Sequence, residues 1–300
     1  MFGIALDLTV DDFKRLIENP KASIAGVLSQ FILLPALTFV IVLLWKPEPS
    51  MALGMILVAA CPGGNVSNFI CYFAKGNAAL SVTLTSISTF LAIFMTPFNF
   101  AFWSGMLPGM EAEQQISISA WEMFQQILVI ILIPLVLGMA FNHFYPKVTA
   151  KLRKPISILS MVIFLGFIAM AFAKNANVFV EYFDVIVLLV FAHNALALGT
   201  GYGVATIFGL EQRDRRTISI ETGIQNSGLG LVLIFTFFGG MGGMALIAAW
   251  WGIWHIISGF ALAFWWRSRP VPAAGAPCST GPAPPVCLHC RRSRRTSAAR

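Results

Sequence analysis

Charge is what this 300-residue sequence has least of: Asp, Glu, Lys and Arg make up 11% of it, against about 25% in an ordinary soluble domain. With so few charges and 57% hydrophobic residues, most of the chain must face lipid or other apolar helices, which excludes a soluble globular domain. Acidic residues are the scarcest charges, 13 against 20 basic, and the net charge is +7. That excess does not form a nucleic-acid-binding face. Arg291, Arg292, Arg294, Arg295 and Arg300 lie in the last ten positions, and most other basic residues fall in short loops between apolar runs, the distribution that membrane topology produces. Met1 to Leu8 carry neither the basic region nor the cleavage site of a secretory signal. Cysteine is sparse as well. Cys61 and Cys71 sit in apolar segments and behave as small buried hydrophobes. Cys278, Cys287, His289 and Cys290 lack the regular four-ligand spacing of a zinc site.

What is present in quantity is long apolar runs. A run of about 20 residues crosses a bilayer as a helix, because lipid offers no partners for unpaired backbone groups. Eight such spans lie near 22–45, 51–75, 78–103, 121–142, 155–173, 180–208, 217–238 and 243–266. Ahead of them come an apolar fragment (1–8) and an amphipathic piece over Asp11 to Glu18, where Thr9 and Asp12 have the spacing of a helix start. Alternate connections hold Lys14, Arg15 and Lys21; Lys75; Lys147, Lys151, Arg153 and Lys154; Arg213, Arg215 and Arg216; and Arg267 and Arg269. The intervening ones hold only Lys46 and Lys174 among several acids. Basic loops face the cytoplasm, so this alternation predicts a cytoplasmic C-terminal end for the last span. Residues 268–300, proline-rich and without periodicity, are expected to form a disordered tail.

A charge inside a span costs about 2.5–3.5 kcal/mol on insertion scales and so marks function. Of the 13 acids, only Glu221 is embedded in a span, a turn or so from its end, within Thr217-Ile-Ser-Ile-Glu-Thr-Gly-Ile-Gln-Asn-Ser-Gly-Leu. No basic residue of that span can pair with it, so a cation comes from elsewhere or the carboxyl carries a proton. The plainer alternative is an interfacial glutamate reaching toward water. Two spans are also interrupted, at Cys61-Pro-Gly-Gly-Asn-Val-Ser-Asn and at Glu221-Thr-Gly-Ile-Gln-Asn-Ser-Gly. Pro and Gly break the helical hydrogen-bond ladder. Paired breaks at membrane depth point to a secondary-transporter site, with unwound carbonyls holding Na⁺ and half-helix N-termini attracting an anion.

A weak internal repeat agrees. Gln30 precedes the first break and His193-Asn194 the second; Ser81 and Thr85 follow the first, His255 and Ser258 the second. Ser81 and Thr85 stand at i and i+4 and share one helix face, although such a pair more often bonds its own backbone. By analogy with other oxygen-ligated ions, sodium wants about five or six oxygens. Glu221 with nearby hydroxyls and amides supplies them.

These residues resemble the bile acid:sodium symporter family. Cys61-Pro-Gly-Gly-Asn-Val-Ser-Asn-Phe and Lys75-Gly-Asn-Ala-Ala-Leu-Ser-Val-Thr-Leu-Thr-Ser look like that family's fourth and fifth helices. Glu221-Thr-Gly-Ile-Gln-Asn-Ser-Gly-Leu looks like its broken ninth, and Trp254-His-Ile-Ile-Ser-Gly like its tenth. The resemblance runs from residue 1 to about 266 and implies an all-α polytopic membrane protein, an inverted repeat of five-helix units with two crossed discontinuous helices. It assigns 1–267 to the transmembrane symporter domain, with core helices at about 22–103 and 180–266 and panel helices at 1–8 and 121–173. The family's first helix and the front half of its second have no counterpart. One sodium site is implied at Ser67, Asn68, Ser81, Thr85 and Glu221, and a second at Gln30, Glu221 and Gln225 with carbonyls of Thr222 and Ile224. Substrate is expected by Asn65, Asn226 and His255, with Asn65 standing where relatives often have Thr.

The expected function is sodium-coupled symport of a small organic anion (bile-acid-like, pantoate-like or a keto acid) by a monomer in the inner membrane, with no nucleic-acid partner. A proton-coupled transporter of the same fold is the near alternative. A substrate-binding sensor, a channel or an intramembrane enzyme belongs to other classes. The enzyme would need a nucleophile with a base, or a metal triad, and the chain has neither a His-Glu-x-x-His spacing nor paired carboxylates.

Overall fold

The computed structural model describes residues 20–108 and 120–269. The apolar fragment 1–8, the amphipathic piece around Asp11 to Glu18 and nearly all of the tail, including Cys278, Cys287, His289 and Cys290, lie outside the described residues. Within them the protein is helical, as backbone in lipid must be, and no strand occurs. Six helices are long and apolar enough to cross a membrane, and two shorter apolar ones accompany them. The protein is an all-α polytopic membrane protein.

The first span is one rod of three parts: α1 (Pro20–Leu28), a widened π-turn (Ser29–Leu33) and α2 (Leu34–Trp45). Pro35 explains the widening. It has no N–H to give the Phe31 carbonyl and its ring crowds that carbonyl, and the chain loosens just before it, with Leu34 N–H reaching back to Ser29. The second span is broken into α3 (Pro49–Ala60) and α4 (Val66–Phe73), and α5 (Ala78–Gly105) follows. Next come α6 (Ala120–Ile127), a second π-turn (Leu128–Leu132) and α7 (Ile133–Phe144), where Pro134 repeats the effect of Pro35. The rest are α8 (Pro146–Lys174), α9 (Ala176–Glu181), α10 (Phe183–Ile207), the broken pair α11 (Gln212–Gly223) and α12 (Ser227–Phe237), and α13 (Gly242–Arg267).

All eight expected spans coincide with a helix or a broken pair. The fifth starts at Pro146 rather than near 155, because a proline suits the first helical turn and the basic stretch after it continues the helix beyond the apolar run. The sixth starts at Phe183, preceded by the separate short helix α9.

The core is built around α3, whose residues Ser50 through Ala60 are all buried, and the facing stretch of α13. Small residues set their approach: a methyl group on Gly54 would lie 2.8 Å from the Met244 Cα. Helix α8 is the opposite case. Ile158, Leu159, Val162, Ile163 and Leu165 are all exposed along it, apolar surface that suits lipid rather than water.

Candidate cation and substrate site where the helix breaks meet

The two breaks meet. Gly64 N–H donates to the Ile224 carbonyl (2.8 Å) and Asn226 N–H donates to the Pro62 carbonyl (2.8 Å). Gly63 and Gln225 thus form an isolated antiparallel bridge. Backbone groups freed by Pro62, Gly63, Gly64 and Gly223 satisfy each other, which buried polar groups at this depth require. The bridge needs its glycines: added methyl groups would lie 2.9 Å from Gln30 Nε2 at Gly63 and 3.2 Å from the Gln225 carbonyl oxygen at Gly64.

Glu221, on the last turn of α11, is fully buried beside this bridge. Its carboxylate takes hydroxyls from two other helices. Ser67 of α4 donates to Oε1 (2.6 Å), Ser81 of α5 also donates to Oε1, and Thr85 of α5 donates to Oε2 (3.0 Å). Ser81 and Thr85 also reach Asn68 Oδ1, at 2.8 and 3.3 Å. Ser67, Asn68, Ser81, Thr85 and Glu221 therefore form one oxygen-rich cluster. Farther along α5, Ser86 and Thr89 bond back to the carbonyls of Val82 and Thr85. Ser81 and Thr85 do not follow that habit.

A second cluster adjoins the bridge. Gln30, on the π-turn, donates Nε2 to the Glu221 carbonyl (2.7 Å), and Gln225 donates Nε2 to the Thr222 carbonyl (2.7 Å). Both amide oxygens, Gln30 Oε1 and Gln225 Oε1, are buried without a hydrogen-bond donor. Orphaned buried oxygens are rare in folded proteins. The Ile224 carbonyl accepts only from Gly64 N–H among the backbone bonds and keeps a second lone pair. Oxygen atoms with no proton to offer suit a hard cation. The donor set fits a sodium ion.

The three residues expected at the substrate are placed differently from one another. Asn65 and Asn226 directly precede the second halves of the broken helices and are partly exposed. Asn226 caps its helix, accepting from Leu229 N–H (3.0 Å), whereas the Asn65 side chain makes no cap bond to α4. His255 is buried with Nδ1 unpartnered. It shares a face of α13 with Gly252 and Gly259. A methyl group at Gly252 would lie 3.0 Å from Ser227 Oγ, and one at Gly259 would lie 2.8 Å from Ile224 Cδ1. His255 therefore sits between two contacts with the second break.

Three contacts near the site have no counterpart in the expectations. Ser29 donates to the Gly26 carbonyl and pairs with the Thr222 hydroxyl at 2.7 Å, tying the π-turn to α11. Asn194 of α10 donates to the Gly223 carbonyl (2.8 Å) and accepts from Ser258 of α13 (2.5 Å). Thr38 of α2 meets His193 Nε2 at 2.7 Å. Asn194 and His193 stand out in the sequence as polar residues inside a span, the available signal; their partners are set by tertiary packing alone.

Two broken helices that meet beside a buried carboxylate, in a polytopic bundle, are the arrangement that secondary transporters use. The chain belongs to the Sodium Bile acid symporter family, whose model matches residues 1–182. It is 32% identical over 269 residues to "Uncharacterized sodium-dependent transporter YocS" of Bacillus subtilis (strain 168), covering 90% of this chain and 81% of that protein. It is 34% identical over 274 residues to "Probable sodium/metabolite cotransporter BASS1, chloroplastic" of Arabidopsis thaliana, covering 90% of this chain and 65% of the relative. With "P3 protein" of Bos taurus it shares 30% identity over 233 residues, 78% of this chain and 48% of that one. The chain thus spans less than two thirds of the plant and bovine relatives. By family it is a transporter and not an enzyme.

Proposed function

We propose that this protein carries a small organic anion across the membrane together with sodium, by alternating access. The observation that carries the reading is the buried Glu221, whose carboxylate takes the hydroxyls of one cluster and whose backbone carbonyl takes the Gln30 amide of another that holds two orphaned amide oxygens. The first sodium ion is held by Ser67, Asn68, Ser81, Thr85 and Glu221. The second is held by Gln30, Gln225 and Glu221 with the carbonyls of Thr222 and Ile224. One negative charge shared by two cations offsets part of their mutual repulsion and couples their binding. Both sites are assembled from residues on either side of the breaks, so sodium favours one arrangement of the crossed helices.

Substrate binds beside the crossing, where Asn65, Asn226 and His255 offer polar groups and the second half-helices present their positive ends to an anion. Asn65, which leaves α4 uncapped, is the residue best placed to select among substrates. The five-helix units form an inverted repeat, with the core moving against the panel. The protein acts as a monomer in the inner membrane, and the last span ends in the cytoplasm.

Reconstitution in vesicles tests the coupling. An inward sodium gradient should drive accumulation of a labelled organic acid, and a pH gradient alone should not. Accumulation that follows the proton gradient and ignores sodium would put the proton-coupled transporter in its place.

A further inference from the structure

A line of polar residues runs down one buried face of α5. Ser81 and Thr85 face the carboxylate, and Thr96 and Asn99 continue the line three turns on. Thr96 donates to the Ala60 carbonyl (2.8 Å), the last residue of α3 before the break. Asn99 donates Nδ2 to the Phe31 carbonyl (3.0 Å) and accepts from Trp103 Nε1 (3.3 Å), so its amide is anchored at both ends. Phe31 follows Gln30 within the π-turn, and its carbonyl lacks its ordinary helical donor because that position is Pro35.

We propose that Asn99 is a positioning residue for the second cation site: it replaces the backbone donor that Pro35 removes, fixes the peptide next to Gln30, and so aims the Gln30 amide at the unwound carbonyls of α11. This rests on the reading of Gln30 as a sodium ligand. Three facts meet here. The π-turn is where Gln30 departs from regular helix. The carbonyl beside it belongs to a buried residue and lacks the donor that a regular helix would place at position 35. The side chain that satisfies it belongs to the helix that supplies Ser81 and Thr85 to the first cluster. One rigid helix therefore sets the geometry of both clusters.

The test is a double-mutant cycle on the full-length protein, read as half-saturating sodium in thermal-shift titrations with sodium chloride, choline balancing the ionic strength. Gln30→Ala should raise half-saturating sodium. Asn99→Leu should raise it by roughly two- to twelvefold, the effect of one hydrogen bond. In a Gln30→Ala background the same substitution should add nothing, because the group it positions is gone. Pro35→Ala, which restores a backbone donor for Phe31, should shrink the Asn99→Leu effect. If Asn99→Leu fails to insert, Asn99→Ser, too short to reach Phe31, gives the same reading. Lower sodium-free stability with unchanged half-saturating sodium would overturn the inference, as would an equal effect in both backgrounds. If Gln30→Ala alone leaves sodium binding unchanged, the second-site reading fails and takes this inference with it. A sodium effect of Gln30→Ala with none from Asn99→Leu sinks the inference alone.

Discussion

Gly63→Ala probes the site without removing a single polar atom. Gly63 is buried at the bridge and its φ is not positive, so the backbone tolerates alanine and only space decides the outcome. The added methyl group would lie 2.9 Å from Gln30 Nε2, 3.2 Å from Glu221 Oε2 and 3.3 Å from the Glu221 carbonyl oxygen. Of these the Gln30 amide is the flexible end, so it yields and its 2.7 Å bond to the Glu221 carbonyl breaks. A lost hydrogen bond of this kind is worth about 0.5–1.5 kcal/mol net. Overpacking adds about 1–3 kcal/mol. If only the hydrogen-bond part falls on the sodium-bound form, affinity drops by about two- to twelvefold. Sodium titrations by thermal shift should show that loss, with helical content unchanged. A Gly63→Ala protein that binds sodium like the parent would refute the assignment of the second cluster to a cation.

Ser81→Ala or Thr85→Val removes a hydroxyl that points at Glu221 and Asn68 rather than at its own helix. Either should weaken sodium dependence while leaving detergent-extracted yield largely intact; identical sodium curves in both would argue for a merely structural pair. Gly54→Ala presses a methyl group against the immovable Met244 Cα at 2.8 Å. It should destabilise the α3–α13 core by about 1–3 kcal/mol, seen as a lower melting temperature with and without sodium. An unchanged melting temperature would mean that the core yields where close packing says it cannot.

The elements that the sequence makes legible are those that lipid enforces. Each long apolar run had to be a helix, and Pro62 with Gly63 and Gly64, or Gly223, had to interrupt one. The first cluster is foreshadowed by a local pattern, since Ser81 and Thr85 lie one turn apart and Glu221 is the lone acid embedded in a span. Much of what organises the site is not local. Gln30 and Glu221 are brought together by tertiary packing, and nothing in either segment announces the backbone exchange between residues 62–64 and 224–226. Nothing local marks the π-turn before Pro35, because proline at that place is equally compatible with an ordinary kink. Its effect shows only once Asn99, far along the chain, supplies the missing donor. Asn194 is similar: its position inside a span flags it, but its hold on Gly223 depends on how α10 packs against α11.

Glu221→Gln tests the central claim most directly, because it keeps shape and one of the two accepting oxygens while removing the charge said to serve both cations. At about 4 Å and an effective dielectric of about 20, one such contact is on the order of 4 kcal/mol before desolvation. A net loss of even about 1.4 kcal/mol per ion lowers affinity tenfold. The variant should still insert, since losing an intramembrane charge lowers the insertion cost. The measurement is a sodium titration of the purified Glu221→Gln protein by calorimetry, beside the parent. The account predicts that both binding events weaken together and that sodium-driven uptake disappears at ordinary salt concentrations. Sodium bound by the variant as tightly as by the parent would contradict the two-site symporter.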